Sequence, residues 1–338
     1  QMIAHWGYPV ESYDVTTEDG YILKLLRIPH PAIYGVSSGN NSSCHRTPIL
    51  FGHGMLQDAS AYLQNPPESS PGMILADAGF DVFLINWRGT FVSQRHVRLS
   101  PRDTEYWKFS IDDIAKYDVP ATIEKVLALN GAKELYYVGH SMGTLVGFMM
   151  LSERPEYNSK VRALFMLGPA GSGHNIKGVT RFGILLGETF PGVIDLIKRF
   201  VGPFEFGLNA PWLLAGAARL FCRPFLKLCR DALAFSIGPP AKMYNFSRTP
   251  VYWSHLFVSV PSWSTLQLVQ NAVHDTINHV DISPEENMRR YGQTTPPTYN
   301  YSKIDSDVYL FSSSGDFITT FDEVEKSLRP RMKPGVIK

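Results

Sequence analysis

The sequence predicts an α/β fold: a mostly parallel sheet with helices on both faces and a largely helical cap inserted into it. Three observations predict it. Short, largely apolar runs at 48–51, 81–85, 135–138 and 161–167 alternate with helical stretches, as strands buried on both faces do. The alternation stops after Gly168 and returns only at Asp307-Val308-Tyr309-Leu310-Phe311. Between a strand and a helix stands Gly139-His140-Ser141-Met142-Gly143, a G-x-S-x-G pattern whose glycines permit a sharp turn.

The elements follow in order. Val10 to Thr16 and Tyr21 to Arg27 flank the turn residues Glu18-Asp19-Gly20 and form an antiparallel hairpin. Residues 32–47 are a polar loop rich in Ser and Asn. Met73 to Ala78 is helical, and the strand at 81–85 leads into Asn86-Trp87-Arg88-Gly89. Ser110 caps a helix that runs to Leu129, with Asp112 and Asp113 in its first turn. Met142 to Glu153 is a further helix, and so is Phe321 to Leu328 after Gly315-Asp316. The expected organisation is a first core segment 1–171, a cap 172–295 and a second core segment 296–338. No internal repeat or low-complexity tract interrupts it.

Composition narrows the function classes. Of 338 residues, 44% are hydrophobic and 19% charged, enough apolar surface for a large core. The net charge is +1 with no basic stripe, which argues against a nucleic-acid partner. A transmembrane segment needs about 18 apolar residues. The nearest candidate, Gly207 to Phe221, is shorter and contains Pro211 and Arg219, so none is expected. Gln1-Met2-Ile3-Ala4-His5 carries no apolar signal core, and a targeting segment is expected to be absent already. N-x-S sequons at Asn40, Asn41, Asn245 and Asn300 together point to the secretory pathway, without separating an extracellular from a lysosomal destination. Three cysteines exclude a disulfide-dense scaffold and zinc-ribbon spacing. Cys222 and Cys229 would stand about 10 Å apart in one helix, beyond the roughly 7 Å limit for a bridge. Pro224 suits the first turn of a helix, which would leave Cys222 in the preceding turn. A disulfide and two buried thiols both remain open.

The chemistry centres on Ser141, pushed out at the carboxyl end of a strand as a nucleophile. An oxyanion needs donors, and the Met142 amide after the nucleophile is one. The Met55 amide, after Gly52-His53-Gly54, is the candidate for the second. Asp316 follows the last strand and is the candidate acid. Asp307 begins that strand, at the wrong end of the sheet, and Asp322 sits in the following helix. The histidine of such a triad follows the acid, yet none of residues 317–338 is a histidine. His53 and His140 flank the site but belong to its loop and elbow. The sequence is therefore expected to stop short of its catalytic histidine and, as given, to be a very weak esterase. The tail from Leu328 to Lys338 reads as the lead-in to one more strand. Leu185-Leu186, Phe190, Phe204, Phe206, Leu220-Phe221 and Phe225 make the cap aromatic and aliphatic. Both a lid that meets a lipid surface and plain packing onto the core fit them.

The chain resembles the acid lipase family of the α/β-hydrolases, which includes gastric and lysosomal acid lipases. The resemblance rests on Gly7-Tyr8-Pro9, Thr17-Glu18-Asp19-Gly20-Tyr21, Leu75-Ala76-Asp77-Ala78-Gly79, Ala115-Lys116-Tyr117-Asp118-Val119-Pro120-Ala121, Tyr137-Val138-Gly139-His140-Ser141 and Gly315-Asp316. It implies an α/β-hydrolase fold and hydrolysis of neutral-lipid esters, of the triacylglycerol or steryl kind, at a lipid–water interface. Ser141 is then the nucleophile and Asp316 the acid, with a histidine about thirty residues beyond it. No metal, organic cofactor or protein partner is implied. The sequence departs from the family at Met142, where Gln is common, and in the cap, where Cys222 and Cys229 stand unusually close. Two rivals remain: a lipid acyltransferase using the same serine, and a catalytically silent lipid-binding or storage relative.

Overall fold

The computed structural model describes residues 2–32, 46–190, 192–200, 202–207, 211–239 and 244–338, so the sequons at Asn40 and Asn41 lie outside the described residues. The strands are β1 (Glu11–Thr16), β2 (Ile22–Ile28), β3 (Pro48–Gly52), β4 (Asp81–Asn86), β5 (Leu135–Ser141), β6 (Val161–Pro169), β7 (Glu205–Phe206), β8 (Val260–Pro261) and β9 (Asp307–Phe311). Seven of them form one sheet in the order β1-β2-β4-β3-β5-β6-β9. The hairpin pairs Glu11 with Arg27 and Thr16 with Ile22, and β2 continues antiparallel onto β4. From β4 to β9 every neighbouring pair is parallel. Every residue of β3 and β4 is buried, as their apolar sequences require of strands covered on both faces. At the outer edge of β9 the tail adds a parallel bridge between Val308 and Ile337. The Val308 amide donates to Val336 O at 3.0 Å and the Lys338 amide to Val308 O at 2.9 Å.

The expected 110–129 helix is present but not regular. Ser110 forms a capping box with Asp113, whose carboxylate accepts from the Ser110 amide at 2.8 Å. A π turn at Ile114–Asp118 precedes the α-helix Val119–Asn130, which Gly131 ends at φ 83°. Pro120 has no N–H for the Lys116 carbonyl, and the ladder widens just ahead of it. The wide turn points Asp118 inward, where it is fully buried with Arg88. Arg88 Nε donates to Asp118 Oδ1 at 2.7 Å, and its Nη2 donates to Asp19 Oδ1 at 2.8 Å. The same guanidinium lies 4.0 Å over the Tyr21 ring. One buried cation thus joins the hairpin turn, the end of β4 and the helix. The stretch expected as the helix 321–328 is likewise a π turn, Glu323–Leu328.

Between β6 and β9 lie the helices Gly178–Thr189, Gly192–Phe200, Pro211–Ala217, Leu226–Ile237, Thr249–Ser254, Ser262–His274 and Pro284–Tyr291, with β7 and β8 paired apart from the main sheet. Cys222 ends a π turn, and the chain breaks before the helix Leu226–Ile237 begins. That break brings the Cα atoms of Cys222 and Cys229 to 5.5 Å, and their sulfurs are bonded.

Buried charge also ties this segment to the sheet domain. Asp112 accepts from the Val280 amide at 3.0 Å, from Tyr299 Oη at 2.7 Å and from Tyr291 Oη at 3.1 Å, and Gln267 Nε2 donates to it as well. His279 stacks on Tyr299 at 4.1 Å, with Nε2 2.9 Å from Glu153 and Nδ1 3.6 Å from Asp112. Burial opposes charge on both partners. Asp112 and Glu153 nevertheless hold the His279 imidazolium up to about 9, and His279 with Arg290 keeps Asp112 well below the usual carboxylate range. A histidine raised above its unfolded value near 6.5 stabilises the fold fully below that pH. It loses the contribution as pH rises toward about 9. Chemical unfolding at pH 6.5 and 9.5 is therefore expected to show the wild type losing about 3 kcal/mol more than His279→Gln. Equal losses in the two proteins would remove this cluster as a source of pH sensitivity.

Candidate active site

β5 ends in a backbone that no ordinary strand-to-helix connection needs. Ser141 has φ 50° and ψ −117°, a conformation costly for a residue with a β-carbon, and the helix Met142–Glu153 starts at the next residue. The flanking glycines make the turn sterically feasible. A β-carbon on Gly143 would lie 2.2 Å from Gly52 O, and one on Gly139 would lie 2.7 Å from Gly143 O. Tyr137 Oη donates to Gly143 O at 2.8 Å, and Thr144 Oγ1 donates to Ser141 O at 2.6 Å. The helix that follows is buried at every position except Glu153, so its packing holds the strained residue in place.

Ser141 faces a cavity of about 140 Å³. Met55, Met142, Leu145, Ile176 and Leu268 supply apolar walls, and Ala170-Gly171-Ser172-Gly173 closes one side. Met55 and Met142, the two expected oxyanion donors, are thus neighbours of Ser141. Among the described residues the Met55 N–H has no hydrogen-bond acceptor.

The loop that carries Met55 is anchored by His53. The Trp87 amide donates to His53 Nε2 at 3.2 Å, and Nδ1 is 2.9 Å from Gly54 O. A ring that accepts at Nε2 must donate at Nδ1, so both nitrogens are engaged. Burial lowers the His53 pKa to about 4, which keeps the ring neutral. His53 therefore holds the loop and has no free nitrogen for the Ser141 proton. His140 is also pushed toward the neutral form by burial, against the pull of the Asp316 charge, and its Nδ1 lies 3.0 Å from Gln57 Oε1.

Asp316 lies in the turn after β9, and its carboxylate is engaged with that turn. It accepts from the Ile318 amide at 2.8 Å, the Thr319 amide at 2.9 Å and Thr319 Oγ1 at 2.7 Å. Ile318 and Thr319 line the Ser141 cavity, whereas Asp316 makes no hydrogen bond to Ser141 or to a histidine among the described residues. Asp307 is at the opposite end of β9, 3.1 Å from Lys338 Nζ, and Asp322 is 3.5 Å from Lys326 Nζ. Asn300 and Asn245 each accept from the amide two residues on, in short turns.

Two polar residues beside the site carried no signal in the sequence. Glu323 is fully buried on the cavity wall and accepts from the amides of Gly173 at 2.7 Å and Asn175 at 3.1 Å. Gln57 accepts from the Gly54 amide at 3.1 Å. In sequence, the first is one more carboxylate at the start of a helix and the second one polar residue in a loop. Among the described residues no group of three His, Cys, Asp or Glu side chains could hold a metal ion. No helix among them is long and apolar enough to cross a membrane.

Comparison with known proteins gives the architecture a family. Residues 1–66 match the family described as a partial α/β-hydrolase lipase region, and residues 47–205 match the α/β hydrolase fold. Lipase lipl-3 of Caenorhabditis elegans is 36% identical over 344 residues, covering 100% of this chain and 83% of that protein. Gastric triacylglycerol lipase of Homo sapiens is 34% identical over 326 residues, covering 96% of this chain and 79% of that protein. The solved structure of a putative lipase from Sulfolobus solfataricus shares the fold, with a TM-score of 0.56 at 14% identity over 97% of this chain and 90% of that one. With Ser141 at its strand-to-helix turn and this similarity along its whole length, the chain belongs to the acid lipase family of the α/β-hydrolases.

Proposed function

We propose that the protein hydrolyses carboxylic esters of neutral lipids, of the triacylglycerol or steryl ester kind, with Ser141 as nucleophile. The observation that carries this reading is the strained Ser141 at an apolar cavity, next to a Met55 amide with no acceptor. Ser141 Oγ adds to the ester carbonyl, and the Met55 and Met142 amides hold the oxyanion. The alcohol leaves with a proton, and water then releases the acid from the acyl-serine. Asp316 is the triad acid, beside the cavity through Ile318 and Thr319. The reading also needs a base for the Ser141 proton, and none of residues 317–338 is a histidine.

Residues 172–295 act as a cap in this reading. Phe182, Leu220, Phe221, Phe225, Leu228 and Phe235 are all more than half exposed, which supports contact with a lipid–water interface. Passage through the secretory pathway to the extracellular fluid or the lysosome is supported by the Cys222–Cys229 disulfide and the sequons at Asn245 and Asn300.

A serine-directed alkyl phosphonate is expected to label the full-length protein, and Ser141→Ala to abolish labelling. Absence of labelling in the wild type would favour the silent lipid binder. Products from a triacylglycerol, with and without an added acceptor alcohol, separate hydrolysis from acyl transfer: free fatty acid in both supports hydrolysis. Ester turnover by residues 1–338 alone at a rate typical of enzymes would mean that an upstream histidine serves as base. Gly143→Ala, whose β-carbon would overlap Gly52 O, is expected to lower stability by about 1–3 kcal/mol and to suppress labelling. Wild-type stability in that variant would show that the elbow tolerates a side chain there.

A further inference from the structure

We propose that Gln57 is a positioning residue for the reaction at Ser141: its Oε1 ties the Gly54 amide to His140 and so sets the Met55 N–H against the nucleophile. The inference rests on ester hydrolysis as proposed above and adds a residue whose role is to hold the oxyanion loop in register with the elbow.

Three groups converge on Gly54. A β-carbon there would lie 2.7 Å from Gln57 Oε1, 3.0 Å from His140 Nδ1 and 3.3 Å from Ser141 Cβ. Gln57 Oε1 accepts from the Gly54 amide at 3.1 Å and lies 3.0 Å from His140 Nδ1. A backbone N–H can only donate, so the side-chain atom facing it is the amide oxygen, not the nitrogen. That oxygen has no proton to give to the ring, and His140 must therefore donate from Nδ1. The neutral Nδ1–H tautomer follows from the contact, and the burial of the ring favours the neutral state.

His53 holds the carbonyl of Gly54, and Gln57 adds the tie from the Gly54 amide to the elbow. Met55 is followed by Leu56 at φ 59°, a strained conformation for a leucine. Leu56 O accepts from the Val258 amide at 3.0 Å, which fixes the far side of the loop to the segment between β6 and β9. Gln57 closes the near side onto the elbow itself. Met55 lies between these two anchors and lines the Ser141 cavity. An oxyanion donor acts only if it sits within a few tenths of an ångström of its place, and a shift of about 1 Å can lower rate roughly 100-fold.

The test uses the full-length protein with wild-type Gln57, Gln57→Leu and Gln57→Glu. In ester hydrolysis, Gln57→Leu is expected to lower kcat about 10- to 100-fold with KM within about twofold of wild type. Gln57→Glu keeps an acceptor oxygen and is expected to recover most of kcat. Long-range proton–nitrogen NMR, with the His140 signals assigned by their loss in His140→Asn, is expected to show Nδ1 protonated in the wild type and not held so in Gln57→Leu. An unchanged kcat in Gln57→Leu, a loss explained by its unfolded fraction, or an Nε2–H tautomer of His140 in the wild type would each overturn the proposal. If the wild type hydrolyses no ester, the functional reading fails, and positioning for that reaction fails with it. The NMR result then still reports whether Gln57 holds His140 and the loop.

Discussion

The contact on which the site depends is between two backbones. Gly143, at the start of the buried helix, passes so close to the end of β3 that a β-carbon would lie 2.2 Å from Gly52 O. β5 and β3 are parallel neighbours, with Gly139 opposite Gly52. The turn out of β5 therefore brings the Ser141 amide end of the helix against the loop that leaves β3. The loop after β3 and Ser141 are adjacent because Gly143 lets the two main chains touch. A larger residue at Gly143 would separate the strand ends or lift the helix from the sheet, and either movement would open the distance between Met55 and Ser141.

A relay of buried polar contacts extends this register outward. The π turn before Pro120 aims Asp118 at Arg88, and Arg88 fixes the segment after β4. Trp87, one residue earlier, donates its amide to His53 Nε2 and its indole N–H to His53 O at 3.0 Å. His53 in turn holds Gly54 O, and Gly54 precedes the proposed donor Met55. Each link is a buried charge or ring with hydrogen-bonded partners, and burial still pushes the Asp118 carboxyl up to about 6 against the pull of Arg88. Removing one partner at the Arg88 end would leave a buried charge uncompensated, far from the serine yet connected to it.

Periodicity made much of this architecture visible in the sequence. The helix Met142–Glu153 and the strand Asp307–Phe311 fall where the apolar runs put them, and the hairpin turns at Glu18-Asp19-Gly20. Family resemblance added the fold and the lipase reading, which the full-length relatives share. What periodicity does not encode is local departure from regular geometry. The π turn at Glu323–Leu328 has the composition of ordinary helix, and at Ile114–Asp118 only the proline two residues beyond the turn hints at the wider ladder. Gln57 and Glu323 act through contacts with Gly54, His140, Gly173 and Asn175, of which Gly173 and Asn175 are about 150 residues from Glu323. Nothing in their neighbours along the chain marks them.

The turn that carries Asp316 is held from the other side of the molecule. The Phe317 amide donates to Ile237 O at 3.1 Å, and Phe317 O accepts from the Lys177 amide at 2.7 Å. Gly238, at φ 112°, approaches so closely that a β-carbon would lie 2.1 Å from Gly315 O. Ile237 ends the helix Leu226–Ile237, and Lys177 immediately precedes the helix Gly178–Thr189. Both bonds therefore join ends of two helices of the inserted segment to Phe317, the residue after the proposed acid, while Gly238 packs against Gly315, the residue before it. Glu323 adds a third tie, since it holds Gly173 and Asn175 from the element after that turn. Main-chain hydrogen bonds weaken steeply once stretched or bent. A displacement of those helices would have to break these bonds or carry the Asp316 turn along, so the position of the proposed acid is tied to the segment that contributes Ile176 and Leu268 to the cavity wall.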